Sequence, residues 1–144
     1  MFSRIFLTLM LFFAAALPAG AEDNPIAVRM KLFTDAYNAG DAAAIADLYA
    51  EDGAVLIPRG GIAVGRDAVA KHYAAAFEAG VANLQYKILE IRKVGPATAV
   101  EIGETRVLIK EQAAASRSMH VWVFKDGEWF LSRDIYQVLG AVKQ

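Results

Sequence analysis

The sequence predicts an α+β fold in which three N-terminal helices are covered by a strongly bent antiparallel sheet. Apolar residues recur at helical spacing in the first half of the chain, which predicts the helices. The stretch 97–139 instead alternates in runs joined by turns, which predicts strands. In two of the strands the apolar positions change parity, and such a change indicates a β-bulge. Because bulges sharpen bending, we expect the sheet to curl around the helices.

The first 21 residues have the pattern of a signal peptide. Arg4 gives the N-terminal region a positive charge, and the run from Ile5 to Leu17 is almost wholly apolar. The segment ends at Ala21 in small residues, which suit cleavage by signal peptidase. That run is shorter than the roughly 20 apolar residues of a membrane span. Residues 22–144 then have the length of a single domain. We therefore expect an exported protein, periplasmic or secreted, that has no membrane contact after cleavage.

Composition excludes several classes of site. The chain has no cysteine, so disulfides and thiolate metal ligands are impossible. Its net charge is −1 and its basic residues are scattered, which argues against nucleic acid as a partner. Two histidines without close ligand spacing do not predict a metal site, and no phosphate-binding loop or nucleophile elbow is present. We expect neither a metal nor a cofactor.

Each of the three predicted helices has a recognisable boundary. Asn24-Pro25 caps and opens the first helix, because proline is tolerated where its missing N–H does no harm. The second helix is predicted from Ala42 to Tyr49, and Asp41 caps it. The third is predicted from Arg66 to Glu78. The first helix presents an apolar stripe that consists of Ile26, Met30, Phe33 and Tyr37.

Two short strands and four long ones are predicted. The short strands are Ala54–Ile57 and Ile62–Val64. The first two long strands are Ala82–Val94 and Ala97–Lys110. After a turn at Ala113–Ser116, the other two form a hairpin from Met119 to Tyr136 that turns at Asp126-Gly127. Asp-Gly between two apolar runs is a strong hairpin signal, because both turn residues need positive φ. The parity changes place bulges near Leu89 and at Gly103.

The strand between Met119 and Phe124 is bulky on both faces. An antiparallel strand with one face in water normally alternates with polar residues. A sheet that is apolar on both faces has helices on one side and another protein surface on the other. We therefore expect a homodimer that pairs through the outer face of the sheet.

The order of elements and four short motifs resemble the nuclear transport factor 2-like superfamily, whose fold is also called cystatin-like. More narrowly, the chain is similar to the SnoaL-like and ketosteroid isomerase-like small bacterial domains, over residues 25–139. The motifs are Tyr37-Asn38-Ala39-Gly40-Asp41, Leu48-Tyr49-Ala50-Glu51-Asp52, Gly65-Arg66-Asp67-Ala68-Val69, and Asp126-Gly127-Glu128-Trp129 leading into Arg133-Asp134-Ile135-Tyr136. The resemblance implies a cone-shaped domain with an apolar pocket between sheet and helices, and pairing through the outer face of the sheet.

The resemblance does not extend to ketosteroid isomerase chemistry. Those enzymes use an Asp base and an oxyanion hole made of a Tyr and a protonated Asp. Matching the motifs places the tyrosine at Phe33, the base at Ile57 and the oxyanion-hole Asp near Val121. None of these side chains can perform the corresponding role. We expect no isomerisation by that mechanism.

The last strand carries the candidate chemistry. Ser132, Asp134 and Tyr136 are expected to share one face that points into the pocket. Among aromatic residues Asp134 would be desolvated, which raises the pKa of a carboxyl group toward the range useful for acid–base catalysis. The alternative is that Asp134 pairs with Arg106 or Arg133 at the pocket mouth.

His120 is the second candidate catalytic residue. It is either the nearest substitute for the missing oxyanion-hole Asp or a residue buried at the dimer seam. His72 lies at the edge of the core or contacts a ligand. Glu101 and Glu104 flank Gly103, where a bulge can direct a carboxylate into or out of the pocket, and one of the two is expected to face solvent. The predicted ligand-binding residues are mostly aromatic or apolar and comprise Phe33, Tyr37, Tyr49, Ile57, Tyr73, Phe77, Trp122, Ser132 and Tyr136.

Three functions are compatible with these residues. The first is a binding protein whose apolar pocket holds a small apolar organic molecule. The second is an acid–base enzyme of isomerase, lyase or hydrolase type that uses Asp134 on a small hydrophobic substrate. The third is a dimerisation or partner-binding domain whose interior is filled by its own side chains. The volume of the interior cavity separates the third from the other two, whereas the sequence does not name a ligand.

Overall fold

The computed structural model describes residues 24–141, so the predicted signal peptide lies outside the described residues. The chain forms an α+β domain, as predicted. Its elements in order are α1 (Pro25–Asn38), α2 (Ala42–Asp47), β1 (Tyr49–Leu56), β2 (Ile62–Val64), α3 (Arg66–Glu78), β3 (Val81–Gly95), β4 (Thr98–Ile109), β5 (Gln112–Lys125) and β6 (Glu128–Ala141). None of the helices within 24–141 is long and apolar enough to cross a membrane.

The helix boundaries follow from local capping. The Asn24 side chain accepts a hydrogen bond from the Ile26 amide at 2.9 Å, and Pro25 occupies the first turn of α1. The Asp41 side chain accepts one from the Ala44 amide at 2.9 Å and so caps α2. α2 ends at Asp47, earlier than predicted, because Tyr49 already belongs to β1.

The sheet has six strands in the order β2-β1-β6-β5-β4-β3 and curls without closing. The four long strands form an antiparallel meander, as predicted. β1 pairs with β6 in parallel, which the sequence reading did not anticipate. This pairing places Tyr49 of β1 beside Leu131 of β6, so the N-terminal half of the chain is joined to the last strand.

One predicted turn is confirmed and another is wrong. Asp126 and Gly127 have φ values of 53° and 84° and connect β5 to β6, as the Asp-Gly signal predicted. The predicted turn at Ala113–Ser116 is instead part of β5, and the chain turns at Lys110-Glu111, with φ values of 47° and 70°. The Lys110 amide donates to the Gly80 carbonyl at 3.1 Å, which ties this turn to the end of α3.

Bulges bend the sheet, although not all of them lie where the sequence predicted. The pairing of β3 with β4 shifts between Ile88 and Glu90, which confirms the bulge at Leu89. β4 pairs with β5 without interruption, so β4 does not switch face at Gly103. An unpredicted bulge lies in β6, where Ser132 is the extra residue between two rungs of the ladder with β5.

The core lies between the helices and the concave face of the sheet. It is mainly apolar and aromatic, and its fully buried side chains include Met30, Ile45, Tyr49, Val55, Val69, Trp122 and Leu131. Among the described residues, five polar or charged ones are buried beside it: Glu101, Ser116, Ser118, His120 and Asp134. Buried carboxylates are rare unless they are paired, so these residues mark the candidate site.

Candidate functional site

A cavity of about 230 Å³ lies between the helices and the sheet. Its inner end is formed by buried residues such as His120 and Asp134, and its outer end by the more exposed Ile109 and Val138. The lining is mostly apolar and aromatic and comprises Phe33, Tyr37, His72, Tyr73, Ala76, Val81, Leu84, Tyr86, Thr105, Val107, Ile109, Ala114, Ser116, Ser118, His120, Asp134, Tyr136 and Val138. The interior is therefore not completely filled by its own side chains.

A row of three ionisable residues lies at the inner end of the cavity, where His120 and Asp134 line the cavity and Glu101 lies behind His120. Glu101, His120 and Asp134 are direct neighbours on β4, β5 and β6, because the strand register pairs each with the next. Glu101 Oε2 lies 2.5 Å from His120 Nδ1, and Asp134 Oδ1 lies 3.2 Å from His120 Nε2. The imidazole is thus held between two carboxylates, and all three side chains are buried. We call these residues the charged row.

Tyrosine hydroxyl groups complete the shell around the charged row. Tyr49 and Tyr73 both donate to Asp134 Oδ2, at 2.6 Å and 3.2 Å. Tyr86 donates to Glu101 Oε1 at 2.6 Å, and its hydroxyl lies 3.0 Å from Ser118 Oγ. Hydrogen bonds to an ionised acceptor are stronger than those between neutral groups, so these hydroxyls hold both carboxylates in place.

Gly103 makes room for one of these tyrosines. A Cβ atom on Gly103 would lie 2.0 Å from the Tyr86 hydroxyl oxygen. The Tyr86 ring therefore crosses the backbone of β4 where a side chain is absent, and it stacks on the His120 ring with centroids 5.9 Å apart. Gly103 is a packing position for Tyr86 and not the bulge that the sequence predicted.

The carboxylates keep His120 protonated. Burial alone would lower the pKa of His120, but Asp134 and Glu101 more than offset this effect and raise the pKa to about 10. Burial would likewise raise the pKa of Asp134, yet the charge of His120 and the donated hydrogen bonds hold it below its ordinary value. The predicted rise in the Asp134 pKa is therefore wrong, because the sequence did not reveal the adjacent imidazolium.

The other titratable groups of the cavity wall are uncharged at neutral pH. Burial, followed by the charge of Asp134, raises the pKa values of Tyr49 and Tyr73 well above normal. Burial also raises the pKa of Tyr37 to about 12 and raises that of Tyr136. His72 has its pKa lowered by burial, an effect that Asp134 partly opposes. The wall thus presents neutral hydroxyl groups and a neutral imidazole beside the charged row.

Most of the predicted site residues meet at this cavity. Phe33, Tyr37, Tyr73, His120, Asp134 and Tyr136 line it. Tyr49 lies beneath Asp134 and reaches it through its hydroxyl. His120 faces the interior and not the outer surface, so the placement at a dimer seam is wrong. The proposed pairing of Asp134 with an arginine is also wrong, because its charged partner is His120 and Arg133 contacts the Asp52 carbonyl.

Four predicted ligand residues lie elsewhere. Trp122 is fully buried in the core, while Ile57 and Phe77 pack at its edge, and none of them lines the cavity. Ser132 was expected to share the inward face with Asp134, but the bulge at Ser132 shifts the alternation by one residue. As a result, Leu131 and Asp134 are buried, whereas Ser132 lies beside the exposed Arg133 side chain.

Sequence reasoning missed three members of the site. Glu101 was noted only as one of two carboxylates that could turn into or out of the pocket, and the structure shows that Glu104 is the more exposed. Tyr86 and Ser118 were not assigned to the charged row at all. Ser118 has the same parity as His120 within β5, and this would have been the available signal. Within residues 24–141, no group of three or more His, Asp or Glu side chains is arranged to hold a metal ion.

Comparison with known proteins identifies the family. The family model of the SnoaL-like domain matches residues 30–131, which is more than half of the 144-residue chain. None of the curated proteins matches the sequence.

Solved structures show the same fold. A ketosteroid isomerase-like protein from Erwinia carotovora atroseptica has a TM-score of 0.74 and 23% identity, over 83% of this chain and 98% of that one. A putative scytalone dehydratase from Novosphingobium aromaticivorans has a TM-score of 0.72 and 18% identity, over 83% of this chain and 85% of that one. An NTF-2 like protein of unknown function from Shewanella oneidensis has a TM-score of 0.68 and 20% identity, over 78% of this chain and 95% of that one.

At these identities the solved structures establish the fold alone, whereas the match to the family model establishes kinship. The chain belongs to the SnoaL-like domain family, within the nuclear transport factor 2-like superfamily.

Proposed function

We propose that this protein binds one small, mainly apolar molecule in the cavity, with a polar group of that molecule directed at the charged row. The observation that carries the proposal is the position of Asp134 and His120 at the inner end of a mainly apolar and aromatic cavity of about 230 Å³. Binding pockets commonly combine apolar walls with a few placed polar groups.

The cavity volume limits the size of the ligand. An apolar cavity of about 150 Å³ is enough to bind benzene. The larger volume here suits a single ring with a short side chain. Aromatic residues form one wall, where the Tyr37 and Tyr73 rings meet edge to face with centroids 6.0 Å apart.

A cavity-filling substitution tests this function. Ala76 lines the cavity from α3, whereas Ala75 on the same helix is exposed. Native mass spectrometry of protein purified from its own cells would detect a co-purified small molecule, and a thermal-shift panel of single-ring compounds would detect binding. We expect Ala76→Leu to abolish both signals and the matched control Ala75→Leu to retain them. Equal behaviour of the two variants would contradict the proposal.

Acid–base catalysis at the same site is the second candidate function. The Asp134 carboxylate and the His120 imidazolium both reach the cavity and lie 3.2 Å apart. Asp134 would take a proton from the substrate and become a neutral acid, and a neighbouring O–H or N–H group would stabilise the negative charge left on the substrate. Such an isomerase, lyase or hydrolase would show a pH-dependent rate that Asp134→Asn removes, whereas a pure binding protein would bind without turnover.

We also propose that two copies pair through the outer face of the sheet. Ile102, Met119 and Ile135 form an outward-facing row across β4, β5 and β6, and the last two are substantially exposed. Analytical ultracentrifugation of Met119→Lys would test the pairing. We expect the wild type to sediment as a dimer and the variant as a folded monomer; a monomeric wild type would contradict it.

Export is a further proposal, based on the sequence of residues 1–21 alone. Mass spectrometry of the protein from its native cells would show a mature chain that begins near Glu22. An intact N-terminus in the purified protein would overturn export by this route.

A further inference from the structure

The charged row contains two carboxyl groups and one imidazole, so it carries one excess negative charge when all three groups are ionised. Glu101 and Asp134 are both carboxyl groups, and the single imidazolium of His120 lies between them. All three residues are buried, with exposed fractions of 0%, 2% and 3% respectively. An uncompensated buried charge is costly because it is removed from water.

Within residues 24–141, no side chain of the cavity wall supplies the missing positive charge. The groups that face the row are His72 and Tyr73 from α3, Tyr49 from β1, Tyr86 from β3 and Tyr136 from β6. Their hydroxyls are neutral donors, and the pKa of His72 is lowered, so its imidazole is neutral too. The lining within the described residues contains neither lysine nor arginine.

We propose that the cavity selects a small organic cation, namely a protonated amine carried on a single ring or a short apolar chain, whose ammonium group lies against Asp134. This inference rests on the proposed binding function and names the chemical class of the ligand. The ammonium group would neutralise the row, while the apolar part of the molecule would occupy the remainder of the cavity.

Asp134 retains the capacity to accept from such a ligand. A carboxylate has about four acceptor positions. His120 occupies one side of Oδ1, and Tyr49 and Tyr73 donate to Oδ2. One position on the carboxylate is thus open for an N–H donor, and hydrogen bonds between ions are stronger than those between neutral groups.

The aromatic wall favours the same ligand class. Phe33, Tyr37, Tyr73 and Tyr86 all line the cavity. Cations are attracted to the faces of aromatic rings, and this attraction is larger where water is excluded. A carboxylate ligand would be repelled, because it would approach both the negative faces of the rings and a site of net negative charge.

Three probes of similar shape and different charge test the inference: 2-phenylethylamine, 2-phenylethanol and phenylacetate. Their affinities for the whole mature protein would be measured by isothermal titration calorimetry at neutral pH. We expect the amine to bind at least about tenfold more tightly than the alcohol, given the strength of charge interactions at low effective dielectric, and phenylacetate to bind most weakly. This ordering needs no variant, so it is informative even if a substituted protein fails to fold.

Glu101→Gln links the preference to the charge of the row. Glutamine keeps the shape and an acceptor oxygen, but it leaves one carboxylate opposite one imidazolium. We expect the ratio of amine affinity to alcohol affinity to fall by about tenfold, as removal of one nearby charge implies. Glu104→Gln is the matched control, because Glu104 lies on the same strand with its side chain 40% exposed. We expect that variant to leave the ratio unchanged.

The outcomes separate this inference from the proposed function. An alcohol that binds as tightly as the amine would overturn the selection of cations while leaving small-molecule binding intact. An unchanged ratio in a folded Glu101→Gln protein would also overturn it. Failure of all three probes to bind would count against both the cation inference and a single-ring pocket.

Discussion

Two adjacent rows of the same three strands have opposite character. The charged row of Glu101, His120 and Asp134 faces inward, and at most 3% of each residue is exposed. The adjacent row, one residue away on each strand, consists of Ile102, Met119 and Ile135, which face outward. Met119 is 44% exposed and Ile135 is 42% exposed. Charges are therefore buried and apolar side chains exposed, which reverses the usual arrangement.

This reversal gives the two rows different requirements for partner groups. A purely structural sheet would place apolar side chains on its inner face and polar ones in water. The inner row instead needs a full set of partners, because a buried charge that loses its partner is costly. The outer row contains no buried charge and forms an apolar surface that another protein can cover. The two rows should therefore respond very differently to substitution.

The largest contrast is expected between His120→Leu and its outward neighbour Met119→Leu. Removing one partner of a buried ion pair typically costs about 3–5 kcal/mol, and here it leaves two carboxylates facing each other. Met119→Leu should change the free energy of unfolding by less than about 0.5 kcal/mol. Urea unfolding at neutral pH measures both. Similar losses in the two variants would show that the inner row is not a paired charge cluster.

The pH dependence of stability sharpens the same contrast. His120 has a folded-state pKa of about 10 against an ordinary value of 6.5, so it binds its proton more tightly when folded. Its contribution is complete below pH 6.5 and is lost as the pH rises toward 10. We expect the free energy of unfolding to fall over this window by an amount on the order of a few kcal/mol.

His120→Gln provides the reference for that titration. In this variant the free energy of unfolding should fall much less over the same pH window, because glutamine does not titrate. Any remaining dependence on high pH comes from groups that the variant shares with the wild type. Parallel pH profiles for the two proteins would contradict a protonated His120.

Gly103→Ala is expected to have an intermediate effect. The added Cβ would meet the Tyr86 hydroxyl and displace it from Glu101, although Gly103 itself carries no charge. Overpacking of this kind costs about 1–3 kcal/mol. In a Tyr86→Ala background the same substitution should cost much less, and a double-mutant cycle in urea measures the coupling. An additive cycle would show that Gly103 is not needed for the position of Tyr86.

The smallest effect is expected for Arg117→Gln on the outer side of the sheet. Arg117 donates to Glu104 at 2.6 Å, but the two side chains are 53% and 40% exposed. Water and salt screen such a pair, so its removal should leave the unfolding midpoint unchanged within error. A loss comparable to that of His120→Leu would mean that exposed and buried charges contribute alike here.

Local signals in the sequence were sufficient for part of this structure. Asp126-Gly127 specified its hairpin and Asn24 its helix cap, because a turn or a cap depends on only a few adjacent residues. The bulge at Leu89 was visible because it shifts apolar parity within one strand. The bulge at Ser132 was not visible, because the sequence around it also fits a regular strand in which Ser132, Asp134 and Tyr136 share one face.

The charged row depends on register between strands, which no local pattern specifies. Asp134 and His120 were recognised separately as candidates, but their contact requires β5 and β6 to pair at one particular offset. Glu101 joins them only because β4 pairs without a bulge at Gly103. For this reason the sequence predicted a carboxyl group with a raised pKa, whereas the structure contains a carboxylate beside an imidazolium.

The ionisation of His120 is the most direct test of this account. The chain has two histidines, so His72→Gln leaves a single imidazole to observe by ¹⁵N NMR. We predict that both ring nitrogens of His120 carry protons at neutral pH and that the ring titrates near pH 10. A neutral ring at neutral pH, with a midpoint at or below the ordinary value of 6.5, would contradict the charged row on which the site depends.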